Sequence, residues 1–207
     1  MAISYPITLP TTPGFRDISW QPKSAVAVVE SEYTYNQKVY KWDGMARSVL
    51  ITLPPMNITN AKLWMAAIYS LNGVQGTFYL SDSAIGGPTQ IAAYDSRANI
   101  LVDGAGQTGP TIANDGWAAI STIVLTAGDW VSIADRLYTC TQGMITDGLS
   151  AGNMNLWPDV LVAPADNDPI LIGSAARGIF RLTGWPEMGF SPNRLMEGFS
   201  FTAQEAL

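Results

Sequence analysis

Only one stretch of this chain reads as a long helix; every other apolar run is short and closed by turn formers. Across residues 57–71, Leu63, Trp64, Ala67, Ile68 and Leu71 recur at i, i+1, i+4, i+5 and i+8, which lines one helical face. Pro54 and Pro55 block helix before it, Asn57 or Thr59 can cap its first turn, and Asn72-Gly73 supplies a left-handed stop. A single apolar stripe with no second amphipathic helix of similar length to cover it has to lie across a sheet. The rest of the chain supplies the strands for one.

Residues 24–30, 46–53 and 198–203 are rich in β-branched or aromatic side chains. In the last two, Val49, Ile51, Leu53 and Phe199, Phe201, Ala203 alternate with Ser48, Leu50, Thr52 and Ser200, Thr202. This period of two puts one face of an antiparallel sheet on a core and leaves the other for solvent or a partner. Leu50 interrupts the polar set, so it marks a face that a neighbouring copy can cover. Turn-rich residues 81–88 suggest a boundary or insertion point. Beyond them, strands at 99–103, 121–126, 129–133, 136–141, 152–157 and 178–183 suggest a small barrel or sandwich. The expectation is a mainly β fold: an antiparallel sheet, sandwich or split barrel with one principal amphipathic helix, plus a second small β module. Residues 1–85, with 184–207 returning, form the first unit and 86–183 the second.

Of 207 residues, 47% are apolar and 14% charged, enough to bury a core. Seventeen acidic against eleven basic side chains give a net charge of -6, without a cationic run to track a phosphate backbone. No specific nucleic-acid binding is expected. No apolar stretch approaches the roughly 20 residues of a membrane span. The N-terminus resembles no secretory signal, so a soluble protein that is not exported by that route is expected. Histidine is absent and Cys140 is the one cysteine, which removes histidine-based triads, Cys–His dyads, zinc clusters and internal disulfides. Cys140 sits in a strand-like stretch where a small thiol packs as core.

Residues 104–109, GAGQTG, fit the glycine pattern of a dinucleotide-binding turn and follow a predicted strand. Pro110 and the following residues lead to another turn instead of a helix, so a tight β connection is expected and no cofactor. Asp166, Asn167 and Asp168 offer oxygens to a hard cation but lack the further ligands of a calcium loop; a surface turn is expected and no metal. Asp129, Asp135 and Glu187 are the acids from which a glycosidase-like carboxylate pair would be drawn. No catalytic residue is assigned. Trp42, Trp117, Trp185 and Phe190 fall in stretches that read as loop or strand edge, where rigid rings serve interfaces or glycan platforms. Trp42, Leu50 and Trp185 are the candidate interface or ligand residues.

Residues 18–22 (ISWQP), 35–42 (YNQKVYKW) and 49–56 (VLITLPPM) lead into the Trp64 helix and then into 71–82. The centre adds 102–109, 125–130 and 135–138; the end adds 157–158, 163–166, 177–182 and 199–206. In this order, across nearly the whole chain, they resemble the tail proteins of long-tailed bacteriophages, a distal-tail, tail-tip or baseplate-like family. The resemblance implies a non-enzymatic virion component, made in the host cytoplasm and placed at the tail tip. It also implies a homo-oligomeric ring, six-fold by expectation, joining the tail tube protein to hub, tail-fibre or receptor-binding proteins. Two other readings follow from the residues: a carbohydrate-binding module gripping host surface glycan through exposed aromatics, and a carboxylate-dependent glycosidase.

Overall fold

The computed structural model describes residues 3–81, 99–117, 123–189 and 195–207, with no side-chain description for 195 and 196. Strands come in the order β1 (Ile7–Thr8), β2 (Asp17–Glu30), β3 (Gln37–Thr52) and β4 (Met56–Asn57), followed by helix α1 (Ile58–Ser70) and β5 (Thr77–Leu80). Then come β6 (Leu101–Val102), β7 (Gly109–Asp115), β8 (Ile123–Leu125), β9 (Trp130–Ile133), β10 (Arg136–Cys140), β11 (Met144–Ile145), β12 (Gly152–Val160) and β13 (Ile170–Ile172). The chain ends with β14 (Gly178–Leu182), β15 (Leu195–Met196) and β16 (Ser200–Glu205). The fold is mainly β with one α-helix among the described residues.

The first sheet has the order β1-β5-β14-β16-β3-β2 and is antiparallel except where β1 meets β5. Val49, Ile51 and Leu53 pack with Phe199, Phe201 and Ala203 in its core, as the alternation predicts. Helix α1 covers that core with Ala61, Trp64 and Ile68, and Leu71 follows at its end. The helix is rolled slightly from the expected face: Leu63 is exposed, because the large Trp64 ring takes the centre of the contact. Asn57 caps the first turn, its side chain accepting from the Asn60 amide at 3.0 Å. Asn72 and Gly73 then take positive φ, 50° and 68°, and end the helix.

The second sheet has the order β13-β9-β10-β12-β7-β6 and nearly closes into a barrel. Its two end strands meet through Val102 N donating to Asp168 O at 3.0 Å and Ile170 N to Ile100 O at 2.9 Å. Gly116, at φ 79°, permits the neighbouring crossing, since a Cβ there would fall 1.8 Å from the Asn99 carbonyl oxygen. Strand β10 is the wall between the two cores. Leu137 faces the first core, while Tyr138 and Cys140 face the barrel interior.

Two expectations change. Sequence order places residues 178–183 in the second unit, 86–183, whereas β14 pairs with β5 and β16 and buries Phe180 and Leu182 in the first core. Its pairing is non-local, so local pattern carries no trace of it. The C-terminal strand β16 pairs with both β3 and β14. The boundary expected near residue 85 lies outside the described residues. Trp117, expected at an edge, is buried in the barrel, where its indole N–H donates to the fully buried Asn114 side chain. Phe190 lies outside the described residues.

Candidate interaction surface

Strands β2 and β3 run on together far past the sheet. Strand β16 pairs with β3 only over Ser48–Thr52, whereas β2 and β3 stay paired out to Glu30 opposite Gln37. An irregularity between Ser24 and Val26 sets the outer part off as a two-stranded ribbon. At roughly 3.4 Å per residue, the six residues 25–30 carry its tip about 20 Å from the sheet.

The ribbon is apolar on both sides. Val28 lies opposite Val39 on one face, with Val26 beside them; Ala27 opposite Tyr40, with Val29, lies on the other. Val26, Val28, Val29, Val39 and Tyr40 are all exposed, and none of them belongs to either core. Two-stranded ribbons are marginal in water, and among the described residues no further strand pairs with this one along its length. At the tip, Tyr33 and Tyr35 are 94% and 75% exposed. Tyr35 takes a φ of 55°, held by its amide donating to Ser31 O at 2.8 Å and by Ser31 N donating to Asn36 O at 3.0 Å. The left-handed conformation costs a bulky residue about 1 kcal/mol or more, so the turn holds the tyrosines outward against that cost.

The root of the ribbon is clamped to the barrel. Arg47 lies on the core-facing side of β3 and is buried. Its guanidinium lies 4.7 Å from the Trp130 ring centroid and 4.9 Å from that of Trp157. It donates to Leu137 O, to Thr139 Oγ1 at 2.8 Å and to Trp157 O at 2.8 Å. Glu205, also buried, accepts from the Arg47 amide and from Arg136 Nε, each at 3.2 Å, and Arg136 donates to Met45 O at 2.9 Å. Burial pulls the Arg47 guanidinium down to about 10, opposed by the attraction of Glu205; burial raises Tyr138. Lys41 adds an ion pair with Asp159 of β12 at 3.1 Å. Beside the clamp, an open groove of about 650 Å³ is lined by Trp20, Trp130, Trp157, Arg47, Thr139 and Thr141 among others.

The three candidate residues do not form one patch. Trp42 is 56% exposed at the ribbon root and Leu50 is 38% exposed on the outer sheet face, eight residues further along β3. Trp185, 55% exposed, lies against Tyr69 at the end of the helix. Gly73 makes room for that ring, since a Cβ there would fall 3.0 Å from its indole nitrogen. The ribbon valines, the tip tyrosines and Arg47 were not singled out by sequence. For Arg47 a signal exists: it is the one cation in the core-facing series Met45, Arg47, Val49, Ile51.

The other motifs serve turns. Residues 104–109 link β6 to β7, and Gln107 ties the loop down, donating to Asp103 O at 2.6 Å and accepting from the Ala113 amide at 2.6 Å. In the Asp166–Asp168 loop, Asp166 accepts from the Gly104 amide and Asp168 from the Ala165 amide. Asp129 accepts from the Thr126 amide, Asp135 from Arg177, and Glu187 is exposed. Cys140 is buried; burial, with Asp129 nearby, pushes its thiol up to about 12. No helix among the described residues is long and apolar enough to cross a membrane. No protein-family model matches the chain, and no curated protein matches it significantly in sequence.

Proposed function

We propose that this chain is a structural subunit of a tailed-phage virion, a ring-forming distal-tail or tail-tip component that joins the tail tube to hub and receptor-binding proteins. One observation carries the reading: a clamped ribbon with apolar side chains on both faces and, among the described residues, no strand on either edge, a form that other molecules can complete. The sequence-order resemblance to tail proteins supplies the setting, and the barrel, locked to the ribbon root through Arg47 and Glu205, supplies a rigid body behind it.

Light scattering and negative-stain electron microscopy of the purified chain, alone and with a tail tube protein, test this. The expected result is a closed ring, six copies by the resemblance, that caps the end of assembled tubes. A lone molecule in both conditions would overturn it.

A further inference from the structure

The geometry points to a head-to-tail contact in which the ribbon tip of one copy, carrying Tyr33 and Tyr35, seats in the tryptophan groove at the ribbon root of the next copy. This deepens the ring reading and rests on it. The occupant is a second copy of this chain for three reasons.

The first is area. Covered aromatic side chains each contribute roughly 150–250 Å², so Tyr33 and Tyr35 at the tip, at their present exposures, offer roughly 350 Å². The four exposed ribbon valines carry this toward the ~800 Å² per partner of a stable interface. The groove's 650 Å³ lies within the roughly 300–1,000 Å³ of sites that enclose a bound group.

The second is charge. Glu30 and Glu32 flank the tip, while among the described residues the groove lining holds the cation Arg47 and no carboxylate. Arg47 is buried and its guanidinium is already paired, so the groove adds no opposing charge of its own; its lack of a carboxylate admits the acidic tip, whereas tip-to-tip association would set Glu30 and Glu32 against their own copies.

The third is geometry. Paired strands hold the tip about 20 Å from its own groove, so one molecule cannot satisfy itself. A tip and a groove at different places on one surface make a heterologous contact, and such contacts propagate into closed rings when the rotation closes.

Two variants test the contact, each checked for folding by circular dichroism and melting temperature. Tyr33→Ser with Tyr35→Ser removes the tip; Thr141→Trp, at an exposed rim position, fills the groove. Each alone is expected to weaken self-association by about 30-fold or more, the loss typical of a buried anchor. Mixed together they are expected to recover a dimer and nothing larger, since one supplies the intact groove and the other the intact tip. In a second readout, a Tyr33→Cys chain mixed with a Thr141→Cys chain is expected to give dimers with a short thiol cross-linker. If both serine and tryptophan variants form rings like the unaltered chain, the contact is wrong while the ring reading stands. An unaltered chain that stays single with and without tube protein overturns both. If Thr141→Trp abolishes binding on a glycan array while assembly is unchanged, the groove belongs to a sugar and this inference falls.

Discussion

Arg47 donates to the main-chain oxygen of Trp157 at 2.8 Å while lying 4.9 Å from the centroid of the same residue's ring. One cation thus holds one tryptophan by both its backbone and its π face, and that tryptophan belongs to the barrel while the cation belongs to the ribbon strand. This contact joins the two cores alongside the apolar packing of Leu137 and Trp130 against the first core and of Trp20 on Trp130.

Arg47→Ala is expected to destabilise the protein by about 3–5 kcal/mol, because it strands buried acceptors at Leu137, Thr139 and Trp157 and removes a countercharge near Glu205. Arg47→Lys should lose about half as much: it keeps the charge but cannot present a planar fork to three acceptors or stack between two rings. Urea unfolding at neutral pH measures both. A lysine variant as stable as the unaltered protein would show that charge alone matters, and losses equal to those of alanine would show that the retained charge contributes nothing without the fork.

Replacing residues 27–40 with Asn-Gly closes the hairpin just beyond the pair Val26–Lys41. No deleted residue belongs to either core, so the melting temperature is expected to move by only a few degrees while self-association is lost. Calorimetry paired with light scattering reads both quantities. A large fall in melting temperature would mean that the ribbon is part of the fold instead of an arm.

The helix was legible because its signals are local: Pro54-Pro55, the Asn57 cap and the Asn72-Gly73 stop lie within one window. So was the alternation of Val49, Ile51 and Leu53, since period two reports directly on which face is buried. The ribbon was not. Val26, Val28 and Val29 read only as a strand, because hydropathy records what a side chain prefers and not what covers it. For the same reason Trp117 and Trp42 look alike in sequence, yet one is deep in the barrel and the other exposed. Of the candidate surface, Trp42 was legible, and the tyrosines and the clamp were not, because their roles depend on strands far apart in the chain.

The Trp64 indole nitrogen is buried in the first core without a hydrogen-bond partner among the described residues. Trp64→Phe removes that unpaired N–H together with some packing volume, so the two effects oppose each other. The expected cost is about 1 kcal/mol, against about 3–5 for Trp64→Ala, which opens a cavity under the helix. Urea unfolding of the two variants decides it; a phenylalanine variant as weak as the alanine one would show that the indole's shape outweighs its unpaired proton.

Stability should fall in mild alkali, and Cys140 should be one cause. Its thiol is held at about 12 in the fold against 9.0 for the free group, so the unfolded chain gives up the proton first. Between those values the unfolded state binds fewer protons than the native state, and stability declines as pH rises. By pH 10, one unit into this window, the loss is about 1.4 kcal/mol. Cys140→Ala carries a constant packing cost but should remove this part of the slope, leaving the decline that the raised Tyr138 adds in the same direction above its ordinary value. Unfolding by urea at pH 8, 9, 10 and 10.5 compares the two chains. If both decline in parallel, the thiol is not protected by the fold, and the barrel interior around β10 is wetter than its packing implies.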